Sequence, residues 1–345
     1  MDDLQLLRET RNDVGTVPPA VLARGRDRLM KRAEAEAAAG EQHNVRTLAV
    51  RRPWRRAAMA TAAAAVIAAS FLVADVVGAG DHPGASAEAA EVLSDAATAT
   101  IATSDPVVGP GQYLLVDTTA VYGAYTSNET GEYVWLESQD GQVYVPADLS
   151  AEWVWNREPR VPVQFFDEQS RQLAESQLRE GLYAGELLRG PAGNFYGSGP
   201  SILGNIPLEE ALGSAPRDPR ELLDLIYEQT YGSGPTTDEA AFNAIADTLR
   251  SGVIPADLRA ALYGAAALVP GVTVIDPQAT MDGRVGISLG METRFSGSRT
   301  EMIIDPQSGL VIGEREVLLA ARDGVPAGTV VSWTAITTSV VDEAP

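Results

Sequence analysis

The stretch AAMATAAAAVIAASFLVA, from Ala57 to Ala74, contains eighteen consecutive residues without a formal charge. A helix rises about 1.5 Å per residue, so this stretch reaches roughly 27 Å, close to the ~30 Å hydrocarbon core of a bilayer. Residues 76–80 can extend the helix to the far interface. The sequence therefore predicts one transmembrane helix over residues 57–80.

Two other interpretations of this stretch fit less well. A soluble Ala-rich helix normally carries charged residues on its solvent face, whereas residues 57–74 carry none. A cleaved signal peptide is a leader of about 15–30 residues, but here a polar segment of 56 residues precedes the apolar run. An uncleaved anchor in the cell membrane is the better interpretation.

The charges that flank the apolar run predict its orientation. Four arginines lie between positions 51 and 56, whereas the first charge on the other side is Asp75. Positively charged flanks remain in the cytoplasm, so the N-terminus is expected inside and the C-terminal part outside. The predicted organisation is a cytoplasmic helical segment at 1–56, the single-pass helix at 57–80, and an extracytoplasmic domain at 81–345.

Net charge changes sign across the predicted membrane. Residues 1–56 hold 12 Arg and Lys against 8 Asp and Glu, a net of +4. The chain totals of 26 and 47 leave 14 basic and 39 acidic residues beyond them, a net of −25. A basic inner segment is attracted to anionic lipid, and an acidic outer domain is repelled by nucleic acid. The lipid bilayer is therefore an expected partner, and nucleic acid is not expected to bind.

The inner segment is too small to form a core. Helices are predicted at 4–12 and 20–39, separated by Val17-Pro18-Pro19, which cannot continue a helix interior. Residues 1–56 contain few large apolar side chains, so these helices lie on the membrane or fold on a partner. Docking to a cytoplasmic protein and a solvated tail both remain open.

Residue usage excludes several kinds of catalytic chemistry. The chain has no cysteine and two histidines, His43 and His82, which excludes thiol catalysis, Cys-ligated zinc and iron–sulfur centres. The glycine-rich loop at 190–207 lacks the Lys-Ser/Thr pair of a phosphate-binding loop. Ser198 lies between two glycines, but His82 is the only histidine in the predicted extracytoplasmic domain. We therefore predict no catalytic residue, no cofactor, no metal site and no enzymatic activity.

The outer domain begins with a predicted helix from Ser86 to Thr103, which ends before Asp105-Pro106. Strand patterns follow, with an Asp140-Gly141 dipeptide that predicts a hairpin turn. Helical spacing returns at 166–188. The predicted strands in this half are QYLLVDTTAVYGAYT, GEYVWLESQ, QVYVPAD and AEWVWNRE.

Three further helices have clear start signals at Asp218, Thr236 and Pro255. Five strands then complete the chain, with turns at Asp282-Gly283, residues 305–309 and Asp323-Gly324. The strands are VTVID, MDGRVGISLGMET, SRTEMIIDP, GLVIGEREVLLAA and GTVVSWTAITTSVV. Strands, helices and again strands indicate an α+β domain, in which helices cover one face of an antiparallel sheet.

Aromatic residues recur along the first group of strands and predict an aromatic sheet face. Such a face either belongs to the core or forms a groove for an apolar ligand or a saccharide, and these alternatives are open. The residues are Tyr113, Tyr122, Tyr125, Tyr133, Trp135, Tyr144, Trp153 and Trp155.

Several short motifs, together with the Arg-rich single-span N-terminal third, resemble an uncharacterised actinobacterial family of single-pass membrane proteins. The resemblance covers nearly the whole chain. The motifs are Pro110-Gly111-Gln112-Tyr113, Leu258 to Tyr263 with Pro270-Gly271-Val272, Asp282 to Gly286, and Ile304 to Gly309.

The resemblance implies a function for the chain, because members of that family accompany extracytoplasmic-function sigma factors. It suggests an envelope-sensing, anti-sigma-like role, with a sigma factor bound through residues 1–56. The zinc-binding anti-sigma subclass is excluded, since this segment has no cysteine. The outer domain is also similar in layout to the lipoprotein-carrier type of fold, which shares a curved sheet with helices on its concave face.

Two alternative functions remain from the residues themselves. The first is a membrane-tethered carrier for a lipid or other apolar ligand in the outer domain. The second is a hydrolase with paired carboxylates, which would require two buried acids about 5–9 Å apart in a cleft. At a single position, Arg284 could pair with Asp282 or Asp305, or hold the carboxylate of a ligand.

Overall fold

The computed structural model describes residues 84–103, 105–128, 131–293 and 297–345. These ranges contain six α-helices, which we number in chain order. They are α1 (Ala87–Ala102), α2 (Glu168–Arg179), α3 (Leu208–Ser214), α4 (Pro219–Gln229), α5 (Thr237–Arg250) and α6 (Ala256–Ala267). The cytoplasmic segment and transmembrane helix that the sequence predicts at 1–80 lie outside the described residues.

Eleven of the described strands form one antiparallel sheet, and β7 and β8 form a separate small hairpin. This confirms the predicted α+β class with a large antiparallel sheet. The strands are β1 (Tyr113–Asn128), β2 (Gly131–Ser138), β3 (Gly141–Pro146), β4 (Glu152–Arg157), β5 (Val161–Phe165), β6 (Glu186–Pro191), β7 (Ser201–Ile202), β8 (Ile206–Pro207), β9 (Thr273–Met281), β10 (Arg284–Thr293), β11 (Ser298–Asp305), β12 (Leu310–Leu318) and β13 (Val330–Val341).

The sheet runs in the order β6-β4-β3-β1-β13-β12-β11-β10-β9, with β2 beside β1 and β5 beside β2. Strands β2 and β3 both pair with β1 in one register. Val121 lies opposite Ser138, and Thr118 lies opposite Gly141. The two strands therefore act as one long strand interrupted at residues 139–140.

The predicted hairpin turn at Asp140-Gly141 is wrong. Gly141 does not adopt the positive φ that a tight hairpin turn requires. Instead, the Ala120 amide donates to Oδ1 of Asp140 at 3.3 Å, and the Gln139 amide donates to the Ala120 carbonyl at 3.0 Å. Because these bonds hold Gln139 and Asp140 against β1, the chain runs on from β2 into β3 alongside β1. The hairpin connection lies between β1 and β2 instead.

The predicted turns in the C-terminal half are confirmed. Asp282 and Gly283 have φ values of 47° and 77° and join β9 to β10, since Met281 lies opposite Arg284. Asp323 and Gly324, with φ values of 51° and 79°, form a similar turn before β13. Aspartate tolerates the left-handed region and glycine favours it, so these dipeptides fix the turns locally.

The predicted helix starts are also correct. The Ser86 side chain accepts the Ala89 amide hydrogen, and Oδ1 of Asp218 accepts those of Arg220 and Glu221 at 3.0 Å each. These bonds satisfy amides that have no partner within their own helices.

The helix predicted at 166–188 is too long. Helix α2 ends at Arg179, and Gly181 with φ +73° breaks the helical path. Residues 186–191 then form β6, whose pairing with β4 outweighs the helical spacing of the sequence.

The main apolar core lies between the helices and one face of the sheet. From the strands, Leu289, Met302 and Ile304 are at most 1% exposed and pack with residues such as Phe242 of α5 and Leu262 of α6. Side chains alternate across a strand, so the residues between them point to the opposite face. There a second apolar cluster contains Ala279, Met281, Ile303, Ile312 and Ala335.

An ion pair joins the end of α1 to the start of α6. Oδ1 of Asp105 accepts a hydrogen bond from Nη2 of Arg259 at 2.5 Å, and Oδ2 accepts the Ala256 amide hydrogen at 2.8 Å. Nε of Arg259 donates to the Thr100 hydroxyl at 2.7 Å. The residue that the sequence predicts to end α1 therefore also orients the first turn of α6.

No helix among the described residues combines the length and the apolar character needed to cross a membrane. That observation concerns residues from 84 onward only, and the predicted span at 57–80 stays a prediction.

Candidate functional site

A cleft of about 550 Å³ lies along α5, in the size range typical of small-molecule sites. One wall is α5 itself, and the other consists of the β7–β8 hairpin and the end of α4. The lining residues are Ser201, Ile202, Leu203, Gly204, Thr230, Ser233, Ala240, Asn243, Ala244, Asp247, Thr248, Arg250 and Ser251. We call this space the α5 cleft.

Asn243 is the unusual residue of the α5 cleft. Its Oδ1 atom is fully buried and accepts no hydrogen bond from the described part of the chain. A buried acceptor without a donor costs about 1–3 kcal/mol, so native proteins retain few of them. Because this oxygen has almost no accessible surface, a molecule in the cleft does not reach it, and the unsatisfied acceptor is a local cost to the fold.

Arg250 lies at the end of α5 between two carboxylates. Its Nη2 donates to Oδ1 of Asp247 at 2.7 Å, and its Nε donates to Oε2 of Glu314 on β12 at 3.2 Å. Burial raises the pKa of Glu314 to about 7, because desolvation and the neighbouring Asp247 and Glu316 outweigh the attraction of Arg250. One carboxylate of this network therefore titrates near neutral pH.

The β7–β8 hairpin is strained where it faces α5. Leu203 has φ +54°, a region that side chains other than glycine rarely adopt, and Gly204 follows with φ +95°. The Leu203 side chain is fully buried in the main core, and its amide donates to the Thr248 hydroxyl at 2.9 Å. Core packing and this bond hold the strained turn against α5.

A second cleft, of about 520 Å³, lies on the other side of the sheet. Val121 and Trp333 are cross-strand partners within it, and Trp333 packs on the apolar cluster that faces away from the main core. Most of the lining is apolar: Val121, Leu136, Val163, Gln164, Thr329, Val330 and Trp333. We call this space the outer groove.

The predicted aromatic face is wrong, because the aromatic residues divide between the two faces. Trp153 packs in the main core with Val145, whereas Tyr144 precedes Val145 on β3 and points the opposite way. Four of the eight residues are buried, and Tyr122 and Tyr125 are exposed. The buried four are Tyr133, Trp135, Tyr144 and Trp153.

Trp155 and Tyr196 form a small aromatic cluster, and the guanidinium of Arg157 packs against both rings. The Arg157 guanidinium lies 4.8 Å from the centre of the Trp155 ring and 5.9 Å from that of Tyr196. Nη1 of Arg157 also forms an ion pair with Glu186 at 3.0 Å. A cation already occupies this position, so the cluster serves the fold.

The buried carboxylate of Glu301 is paired within the sheet. Glu301 is fully buried, and Oε1 accepts hydrogen bonds from Arg299 at 2.9 and 2.7 Å. Oε2 accepts hydrogen bonds from Nε of Arg315 at 2.7 Å and from the Ser288 hydroxyl at 2.8 Å. This carboxylate is saturated with donors and offers no proton-transfer role of the kind the hydrolase alternative needs.

Arg284 lies against the sheet backbone. Its Nη2 donates to the carbonyl oxygens of Ile312 at 2.8 Å and Ile336 at 2.6 Å. The register between β11 and β12 shifts beside Ile304, which leaves Ile312 as an extra residue. Arg284 therefore stabilises a β-bulge, a role that sequence reasoning did not anticipate.

The residues that line the α5 cleft were missed by sequence reasoning. Asn243, Asp247 and Arg250 recur at helical spacing on a capped amphipathic helix, where polar residues normally face solvent. No motif distinguishes them from other surface positions. No group of three or more acidic or histidine side chains within the described ranges is placed to bind a metal ion.

No protein-family model matches this sequence, and no curated protein is similar enough to it to indicate a relative. The family resemblance and the sigma-factor association that it implies therefore stay predictions, and function is argued from the chain's own residues.

Proposed function

We propose that this chain is a non-enzymatic single-pass membrane protein with an envelope-sensing, anti-sigma-like regulatory role. In this proposal residues 57–80 cross the cell membrane, the N-terminus is cytoplasmic, and the domain from residue 81 is extracytoplasmic. Residues 1–56 bind a cytoplasmic sigma factor. Helices cover one face of the outer domain's sheet, and the α5 cleft takes up the signal molecule.

The observation that supports this proposal most directly is the α5 cleft itself, which Asp247 and Arg250 line between α5 and the β7–β8 hairpin. Arg250 connects the cleft to the sheet through Glu314, so an occupant that contacts Arg250 also acts on β12.

The inner half of the proposal is tested by photocrosslinking the full-length chain in native membranes. A photoreactive residue replaces Leu22 or Leu29, and captured proteins are identified by mass spectrometry. A sigma factor is expected, and its yield should change when Asn243→Leu is introduced in the same chain. As a control, the photoreactive residue is placed at position 169, where Gln169 of α2 is exposed. Capture of lipid alone from both inner positions would contradict the proposal.

A second function, a tethered carrier for an apolar ligand, is supported by the outer groove. Its lining is mainly apolar, and Val163 in it is 46% exposed. Native mass spectrometry of the full-length chain, released from detergent, should then show lipid-sized adducts. Val163→Asp should abolish these adducts, whereas Val107→Asp, at a more exposed valine outside the groove, should retain them. Equal adducts in both variants would exclude the outer groove as the site.

A further inference from the structure

We propose that the β12–β13 loop, residues 319–329, lies against the lipid surface of the membrane. This inference rests on the proposed single-pass function and names the face of the outer domain that contacts lipid. It is carried by the bonds that hold residues 84–86 to the domain, by the position of the loop at the same end of the sheet, and by the exposed apolar groups and zero net charge of the loop.

The start of the described domain is held at the connection between α6 and β9. The Ala85 amide donates to the Ala267 carbonyl at 3.0 Å, and the Ser86 amide donates to the Val272 carbonyl at 2.9 Å. An added Cβ on Gly84 would lie 2.7 Å from the same Ala267 oxygen, so the backbone passes close to the end of α6. These contacts fix the point at which the chain enters the domain.

The entry point lies close to the bilayer in the proposed function. Residues 57–80 cross the membrane there, and only residues 81–83 separate them from Gly84. A fully extended chain spans at most about 3.6 Å per residue, so Gly84 lies within roughly 14 Å of the membrane end of that segment. The α6–β9 connection, which holds residues 85 and 86, therefore lies near the lipid surface.

The register of the sheet places the β12–β13 loop at that same end. Thr273, the first residue of β9, lies opposite Gly290 near the end of β10. Ser298, the first residue of β11, lies opposite Leu318, the last residue of β12. Neighbouring strands lie about 4.8 Å apart, so β12 lies about 14 Å from β9 across the sheet. The loop that follows Leu318 therefore shares an end of the sheet with the α6–β9 connection.

The β12–β13 loop is anchored to the fold and exposes apolar groups. The Leu319 amide donates to the Gly297 carbonyl at 2.8 Å, and Val325 is buried in a cluster with Val134. The Leu319 side chain itself is 39% exposed. Exposed apolar groups held together on one surface are typical of protein or membrane contacts. The other exposed apolar residues of the loop are Ala320, Ala321, Pro326 and Ala327.

The charge of this surface favours lipid as its partner. Arg322 and Asp323 are the two charged residues of the loop, and they form an ion pair at 3.4 Å. The loop leads into the outer groove, and every described residue that lines this groove is uncharged. By contrast, the chain beyond position 56 has a net charge of −25. Anionic lipid repels acidic surfaces, so a neutral apolar loop is the part of the domain that suits a bilayer.

The test is fluorescence quenching by lipid, and the absence of cysteine from the chain allows a single label at an introduced cysteine. Full-length chains carry Ala327→Cys in the loop or Ala102→Cys at the end of α1, both at exposed alanines. Position 102 lies about 24 Å along α1 from its start. The chains are placed in vesicles of phosphatidylcholine and phosphatidylglycerol that contain nitroxide-headgroup lipid. Quenching should be several-fold stronger at position 327 than at position 102.

A second variant distinguishes contact with lipid from mere closeness. Leu319→Asp replaces an apolar contact by a charge that anionic lipid repels, so it should reduce quenching at position 327. Leu182→Asp changes a leucine that is 64% exposed outside the loop, and quenching at position 327 should not change. Unchanged quenching in Leu319→Asp would overturn the contact.

Carbonate extraction of the same vesicles tests the proposed function separately. Equal quenching at positions 327 and 102, in a chain that the membrane retains, would overturn this inference alone. Weak quenching at position 327 together with a disulfide-linked dimer through that position would place a second copy on the loop and overturn the lipid contact. Release of the chain by carbonate would overturn the single-pass function, and this inference with it.

Discussion

The Tyr263 hydroxyl donates a hydrogen bond to the carbonyl oxygen of Gly309 at 2.7 Å, at a site where Tyr263 is fully buried. Tyr263 lies on α6, and Gly309 ends the turn between β11 and β12. The same turn packs on α1 beside Thr100. Two of the motifs that carry the family resemblance therefore meet in space, and their roles there are structural.

Removing the Tyr263 hydroxyl should destabilise the domain. In Tyr263→Phe the Gly309 carbonyl loses its side-chain donor in a buried position, so the free energy of unfolding should fall by about 1–3 kcal/mol. Urea unfolding of the full-length chain in detergent, followed by tryptophan fluorescence, measures this. Tyr125→Phe is the control because Tyr125 is 54% exposed, and equal stability of the two variants would contradict the prediction.

Gly309 is required for its backbone angle and for its closeness to α1. It has φ +65°, and an added Cβ would fall on the Ala96 carbonyl oxygen and 2.6 Å from the Thr100 amide nitrogen. Gly324→Ala is a matched control, with φ +79° and open space around it. In Gly324→Ala the free energy of unfolding should fall by about 1–2 kcal/mol because of the backbone angle alone. In Gly309→Ala it should fall by about 1–3 kcal/mol more because the added methyl group is overpacked against α1. Similar unfolding midpoints for both variants would refute the close approach.

Glu301→Gln should be strongly destabilising, because it leaves Arg299 and Arg315 facing each other without a charge between them. Loss of one partner from a buried ion pair costs about 3–5 kcal/mol. Glu152→Gln removes an exposed partner of Arg189, and such a pair contributes about 0–1 kcal/mol. Chemical denaturation at pH 7 distinguishes the two, and a small effect at Glu301 would show that the arginines are independently stabilised.

The same carboxylate predicts sensitivity to acid. Burial alone would raise the pKa of Glu301, but hydrogen bonds from Arg299, Ser288 and Arg315 outweigh it and hold the pKa below the ordinary value of 4.5. The unfolded chain then binds the proton first as pH falls, so stability is lost below about pH 4.5. Melting temperatures between pH 3 and 6 should fall more steeply in the parent chain than in Glu301→Gln. Parallel curves would contradict this.

Glu314 predicts the opposite dependence near neutral pH. Its folded pKa of about 7 lies above the ordinary 4.5, so between these values the folded chain holds more protons than the unfolded chain. Stability should therefore decline as pH rises through this window and level off above it. Glu314→Gln cannot ionise, so relative to the parent its stability should rise from pH 5 to pH 8. The exposed Glu292→Gln provides the comparison curve, which should follow the parent.

Local signals in the sequence predicted the elements well. Ser86, Asp218 and Thr236 begin helices because a side-chain oxygen reaches an amide two or three residues away. Asp282-Gly283 forms a turn because both residues accept positive φ. These outcomes depend on neighbours in the chain, which the sequence shows directly.

The same kind of signal failed where distant pairing decided the result. Asp140-Gly141 has the composition of a hairpin turn, but the Asp140 side chain accepts the Ala120 amide hydrogen and Gly141 lies opposite Thr118 of β1, so the chain continues the strand. The apolar spacing after Arg179 is helical, but residues 186–191 form strand β6 because they pair with β4. In both places the sheet offers more hydrogen bonds than the local conformation that the sequence favours.

By itself, the sequence determined the α+β class, the caps, most turns and the charge asymmetry about residues 57–80, because these depend on composition and near neighbours. Only the tertiary structure decided that Arg284 supports a bulge, that Glu301 is buried between arginines, and that Asn243 lines a cleft. Each of these depends on groups far apart in the chain, whose desolvation and pairing exist only after the sheet and helices pack.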